Sequence, residues 1–267
     1  MLKKRVIFTL LYANGNFMLS RNFRLQKVGD LRWLQKNYNF AQTAFSIDEL
    51  IILDVSREDR DAKKFGYHVS KIAEECFVPI AVGGGIQGVD QVRDLLHTGA
   101  DKIVVNTLVD TCPGAINEIA AEFGSQCIVA AVDVKQSENT YSVWTENGTK
   151  QQPGSLAAWI NKIVQLPIGE LYLNSMDRDG AGQGYLLGML DQLPDPMAIP
   201  VIMAGGAGKH QHLSAALLDH RVDAVATANL FNFVGDGLTK SRVAMLAAGL
   251  DLAQWDATAA HELKRCD

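Results

Sequence analysis

The plainest chemistry in this 267-residue chain lies in two glycine stretches, Val82-Gly83-Gly84-Gly85-Ile86 and Met203-Ala204-Gly205-Gly206-Ala207-Gly208. Each ends an apolar, strand-like run and precedes a helical pattern. A strand, a glycine turn and a helix start together make an anion site. Without a Cβ the backbone approaches closely, and free N–H groups at the helix end point at the anion. One such stretch reads equally well as a tight turn. Two of them, 121 residues apart, suit a ligand with a phosphate at each end.

Two further sets of residues could do chemistry. Asp54, Asn106, Thr107, Asp133, Asn174, Asp177, Asp179, Thr227 and Asn229 each stand at or just past the end of an apolar run. Arg5, Glu49, Lys102 and Glu170 stand at the starts of such runs. If those four point inward they place two cations against two anions, and burial requires them to pair. The simplest role for such a set is a salt-bridged plug.

The elements that must position these residues repeat. Asp48-Glu49-Leu50 is echoed by Gly169-Glu170-Leu171, Asp101 by Asp223, and Val6–Leu10 by Ile128–Val132, at offsets of 121 or 122. That period is too long for a solenoid. Each half holds four strand-then-helix units, and eight such units close a parallel barrel. The expected fold is therefore a (β/α)8 TIM barrel of two half-barrel repeats. It forms a single domain over residues 1–267, with halves of about 1–122 and 123–267. Expected strands include Arg5–Leu11, Glu49–Asp54, Lys102–Val105, Cys127–Val132, Glu170–Asn174 and Asp223–Ala226. Helices are expected at Leu31–Ala41, Asp59–Glu75, Ser155–Val164, Leu186–Leu193 and Thr239–Ala248. The polar Tyr12–Asp30 segment is long for a connection and reads as a lid loop. The charged run Arg57–Lys64 reads as a solvated face. Asn147-Gly148 signals a small hairpin on top of the barrel.

Composition excludes several classes. A net charge of −5 argues against a nucleic-acid footprint. No apolar run approaches the ~20 residues of a membrane span, and Val6–Tyr12 is too short for a signal peptide. Cys76, Cys112, Cys127 and Cys266 form no metal spacing and read as reduced thiols of a cytoplasmic chain. His210 and His212 lack a nearby carboxylate, so no metal and no cofactor are expected.

Taken together, the residues resemble a known family over nearly the whole chain. Leu2-x-Lys4-Arg5-Val6-Ile7, Asp48-Glu49-Leu50-x-x-Leu53-Asp54, the two glycine stretches, Gly99-Ala100-Asp101-Lys102, Phe123-Gly124-Ser125-Gln126 and Asp177-Arg178-Asp179-Gly180 are similar to the cyclase subunit of imidazole glycerol phosphate synthase. The resemblance implies a barrel that receives ammonia from a glutaminase docked at its N-terminal face. The ammonia crosses to a twin-phosphate substrate, which is cleaved and cyclised for histidine synthesis. It implies an ammonia gate at Arg5, Glu49, Lys102 and Glu170, and a partner contact near Asp101. It implies phosphate contacts at Gly84, Gly85, Asn106 and Thr107 on one side, and at Asp179, Gly180, Gly205, Gly206, Ala228 and Asn229 on the other.

The resemblance also implies two catalytic aspartates, at the ends of strands 1 and 5, and only Asp133 is present. Leu11 occupies the other position and is the repeat-mate of Asp133. Leucine cannot transfer a proton. Asn14, Leu19 and Ser20 stand where the family has an acid, a phosphate-reaching lysine and a glycine, and Ala204 replaces a small hydroxyl. Three functions fit this pattern. One is a paralogue that conducts ammonia but has lost the cyclase (lyase) step, similar to the cyclase-like subunits that serve acetamidino-sugar formation in surface-polysaccharide synthesis. There a separate amidotransferase is the acceptor enzyme. Another is a working cyclase with a different proton-transfer group. The third is a non-catalytic scaffold.

Overall fold

In the computed structural model, residues 3–38, 44–57, 60–138, 140–228 and 237–254 are described. Eight strands close a parallel barrel: β1 (Arg5–Ala13), β4 (Glu49–Asp54), β5 (Ile80–Gly83), β6 (Lys102–Val105), β7 (Ile128–Ser137), β10 (Glu170–Ser175), β11 (Val201–Ala204) and β12 (Ala224–Thr227). They pair in that order, with β12 joined to β1 and β7 to β10. The expected (β/α)8 TIM barrel is the observed fold. Helices α1 (Leu31–Asn37), α2 (Ala62–Ala73), α3 (Val89–His97), α4 (Leu108–Thr111), α5 (Pro113–Phe123), α6 (Leu156–Ile163), α7 (His210–Leu217) and α8 (Gly237–Ala247) alternate with the strands.

Local chemistry explains these elements. Asp30, Asp61 and Ser155 cap α1, α2 and α6, each side chain accepting a backbone N–H of the first turn. α2 buries Phe65, Val69 and Ile72, a spacing that makes one apolar stripe. The strands are apolar on both faces because both are covered. One face packs on helices. The other meets at the barrel axis, where Ile7, Ile51, Val104, Val129, Tyr172 and Ile202 form a separate inner cluster.

Two readings need correction. The Tyr12–Asp30 segment is not an irregular loop. It continues β1 into an antiparallel meander with β2 (Asn16–Arg21) and β3 (Arg24–Gly29). The signal was Asn14-Gly15, with both residues at positive φ (50° and 85°). That is the dipeptide a tight hairpin turn demands. The expected helix at Leu186–Leu193 is instead a 3-10 segment, Leu187–Gln192. The hairpin expected at Asn147-Gly148 exists. There β7 extends past the barrel and pairs with β8 (Thr140–Thr145), which pairs with β9 (Lys150–Gln151).

Strand registers follow the internal repeat. Ile7 lies opposite Glu49 in the β1–β4 pair, and Val129 lies opposite Glu170 in the β7–β10 pair. Leu11 opposite Leu53 and Asp133 opposite Asn174 are then equivalent levels.

One buried ion pair ties α8 to the barrel floor. Arg242 donates to both Asp48 oxygens at 2.9 and 2.7 Å, and Val6 N donates to Asp48 Oδ2 at 2.8 Å. The two side chains are 5% and 8% exposed. Arg242→Met leaves Asp48 buried without its cation. The expected cost is about 3–5 kcal/mol, read as a lower chemical-denaturation midpoint. Arg242→Lys is expected to lose less.

Candidate functional site at the two ends of the barrel

At the C-terminal mouth, Asp133 is the central titratable group. It is half-buried where β7 leaves the barrel. Asn174 Nδ2 donates to its Oδ1 at 2.7 Å and Asn106 Nδ2 to its Oδ2 at 3.1 Å. Burial pushes its pKa up to about 6 against the Asn174 hydrogen bond, and Asp179 adds to the rise. A carboxyl held near neutrality suits proton transfer. Across the mouth, Leu11 and Leu53 sit side by side, so the second carboxylate of an acid–base pair has no counterpart there.

The glycine turns lie on opposite sides of this mouth, at the ends of β5 and β11. Gly84 (φ 112°) and Gly205 (φ 81°) adopt conformations that favour glycine. A Cβ on Gly84 would collide with the Asp54 carbonyl, and one on Gly205 with the Ser175 carbonyl. Asn106 and Thr107 follow β6, the strand beside β5 and its Gly84-Gly85 turn. Gly180 and Ala228 follow β10 and β12, the strands on either side of β11. Asn229 lies outside the described residues. Arg60 is exposed, as the solvated-face reading expects, but sequence reasoning missed it as a site residue. Its guanidinium also lies against Gly85, with Nε 3.9 Å from Asp54.

The structure gives Asp179 and Thr107 tasks within the mouth. The Asp179 carboxylate accepts from Ser20 Oγ and from Phe23 N, so it holds the tip of the β2–β3 hairpin. Burial raises its pKa against both hydrogen bonds. Arg57 donates to the Phe23 carbonyl at 2.8 Å. Phe23 itself has φ 61°, a conformation strained for an aromatic residue. Thr107 Oγ1 accepts from Glu146 N at 3.1 Å, which binds the β8–β9 turn to the barrel rim.

At the opposite end, the four floor charges meet. Arg5 Nη1 lies 3.0 Å from both Glu49 and Glu170, and Lys102 Nζ lies 3.1 and 3.0 Å from the same two acids. Each cation touches both anions, and the ring closes. Glu49 is 2% exposed; burial raises its pKa, opposed by Lys102 and Arg5. Below the ring, a hollow of about 510 Å³ is lined by Asp101, Lys102, Gln126, Gly169 and Glu170 among others. Asp101 accepts from Ile80 N at 2.8 Å.

Comparison with known proteins follows the same outline. The model of a family described as "Histidine biosynthesis protein" matches residues 27–235. A protein of Parasynechococcus marenigrum, provisionally named imidazole glycerol phosphate synthase subunit hisF2, is 44% identical over 256 residues, covering 96% of this chain and 95% of that one. Imidazole glycerol phosphate synthase subunit HisF of Caulobacter vibrioides is 37% identical, covering 94% and 96%. The HisF subunit of Prosthecochloris aestuarii is 38% identical, covering 87% and 92%. The chain belongs to the HisF family.

Within the HisF frame, the barrel gathers the candidate residues into three places. Asp133 stands at the mouth with Asn106 and Asn174. The glycine turns flank it. Arg5, Glu49, Lys102 and Glu170 close the floor. Sequence reasoning missed the hairpin latch at Ser20 and Phe23, because its partner, Asp179, is 159 residues from Ser20. It also passed over Tyr172, although alternation from Glu170 points that residue inward.

Asp133 makes a pH prediction. Carboxyl-carbon NMR is expected to give it a midpoint of about 6. Asn174→Leu is expected to raise that midpoint, since it removes a donor to the charged form. The folded carboxyl binds its proton more tightly than the unfolded one, at about 3.9. Its contribution to stability is therefore full below about pH 4 and is lost as pH rises through about 6. Asp133→Asn is expected to remove that part of the pH dependence.

Proposed function

We propose that this HisF-family chain is the ammonia-conducting subunit of a glutamine amidotransferase complex that no longer performs the cyclase step. The observation that carries this reading is the contrast between the barrel's two ends. The floor keeps a complete, closed ring of Arg5, Glu49, Lys102 and Glu170. At the mouth β7 ends in the carboxylate Asp133, while the equivalent level of β1 holds Leu11, paired with Leu53. The hairpin that would have carried a phosphate-reaching lysine has Leu19, and its tip is tied down to Asp179. The greater identity to the hisF2 relative than to the HisF subunits named above is in keeping with a divergent branch.

In this reading a glutaminase docks over the hollow beside Asp101, and ammonia enters where the four charges meet. The nitrogen leaves at the mouth for a separate amidotransferase, which forms an acetamidino group on a sugar of a surface polysaccharide such as lipopolysaccharide. We place this complex in the cytoplasm. Among the described residues no helix is long and apolar enough to cross a membrane. The glycine turns at Gly84-Gly85 and Gly205-Gly206, with Asn106, Thr107, Gly180 and Ala228, keep an affinity for phosphate groups, to which Arg60 adds a cation. The chain works as one domain of two half-barrels, a division supported by the matched registers of β1–β4 and β7–β10.

Two experiments test this. Purified protein given the twin-phosphate substrate and excess ammonium is expected to make imidazole glycerol phosphate ~10²–10⁴-fold more slowly than a HisF with both aspartates. Turnover at the ordinary rate would return the chain to histidine synthesis, with another group replacing position 11. The second experiment is Lys102→Met. It removes one cation and leaves Arg5 with both acids, so the ring must rearrange. Glutamate release by the glutaminase is expected to continue while nitrogen transfer from glutamine falls. Unchanged coupling in a folded mutant would make the ring a plug. Failure to bind any glutaminase would leave a scaffold.

A further inference from the structure

The barrel interior between the floor ring and the mouth is not an open apolar passage. Tyr172 is the next inward residue of β10 above Glu170, and its hydroxyl lies 3.5 Å from Thr9 Oγ1. Tyr172 is 6% exposed and Thr9 1%. Thr9 belongs to β1, and in the closed order β11 and β12 stand between β10 and β1. A contact between strands three places apart in an eight-stranded barrel must cross the interior. The alanines at 131, 204, 224 and 226 line the same inner cluster, and their small side chains leave the space that the phenol ring fills. Asp133 and Asn174 sit one inward position above Tyr172. On the axis, the order from floor to mouth is therefore charged ring, phenol, carboxylate.

We propose that Tyr172 is a second barrier on the barrel axis, tethered across the interior by Thr9, which ammonia coming from the floor must displace before it reaches the mouth. This rests on the conduit reading above. The chemistry suits the passenger. A phenol hydroxyl can donate to the lone pair of ammonia and accept one of its N–H groups, so the incoming molecule takes over the place of Thr9. Burial pushes the phenol pKa upward, so Tyr172 stays neutral and keeps both capacities. A barrier here closes the interior toward bulk solvent between deliveries, as lids do for other guarded sites. The floor ring guards the other end.

The test uses permeabilised cells of the native host, with amide-15N glutamine and unlabelled ammonium supplied together. The isotope ratio of the amidino nitrogen in the extracted polysaccharide is read by mass spectrometry. Wild type is expected to carry mostly label. Tyr172→Leu removes the bulk, and the unlabelled share is expected to rise several-fold at unchanged glutamate release. Tyr172→Phe keeps the ring and loses the tether, and a smaller rise is expected. A rise in the leucine variant alone keeps the barrier and removes the role of Thr9. If Tyr172→Leu fails to fold, Tyr172→Met, which also removes the ring, decides, and an unchanged ratio there overturns the proposal. An unchanged ratio in both folded variants also overturns it. An unlabelled product in wild type defeats the conduit reading itself, and the barrier with it.

Discussion

In a closed parallel barrel every second residue of every strand must point at one axis, and everything functional in this chain follows from that constraint. Parity from Arg5 puts Ile7, Thr9 and Leu11 on the axis. Parity from Glu170 does the same for Tyr172 and Asn174. A one-residue slip in any strand would turn its charge outward and its apolar neighbour inward. The floor ring, the inner apolar layer, Tyr172 and Asp133 are thus successive layers of one register. The residues between them face outward and hold the helices. Val6, Leu171 and Leu173 pack in one outer cluster while their neighbours line the interior.

Burying four charges at the start of such a barrel is costly, and the structure offsets this cost by symmetry. Two cations and two anions alternate, each touching both opposites. The ring is neutral as a whole, and each charge is shared between two opposite partners. It is also easily disturbed, since each side chain has two partners and the loss of one leaves an odd charge. A rigid plug needs no more than a neutral packed layer, and hydrophobic residues of similar size often serve as well or better. Keeping four charges where apolar residues would serve argues for a task in which the layer must part.

The barrel itself was legible in the sequence because its signals are local. Glu49–Asp54 and Lys102–Val105 were bounded correctly by apolar runs that end in polar residues. Gly84-Gly85 and Gly205-Gly206 marked the turns by the φ they require. The internal offset gave the strand count and exposed Leu11 as the odd mate of Asp133. The meander at residues 12–29 was hidden because its third strand, Arg24–Gly29, has only Leu25 and Val28 among polar residues. The Asn14-Gly15 turn was the only strong mark of a hairpin. What could not be read locally was the closure of the mouth. The bonds from Ser20 and Phe23 to Asp179, and from Arg57 to Phe23, join segments far apart in sequence. Nothing in the local pattern distinguishes a solvated Arg57 from one that holds a hairpin.

The proposed loss of the cyclase step leaves the frame of the mouth undisturbed. Leu11 beside Leu53 fills with apolar volume a place that would otherwise need a charged group and its partners. A carboxylate there would add a further charge to a mouth that already holds Asp133 and Asp179, and leucine avoids that. Asp179 accepts two donors from the hairpin, which fixes the hairpin over the mouth. Asp133 keeps both asparagine amides and so remains ordered. Leu11, Asp133 and Asp179 lie at the strand ends and the loops beyond them, where side chains can be exchanged without altering the register below. The floor has no such freedom, because each of its residues is also the first inward step of a barrel strand.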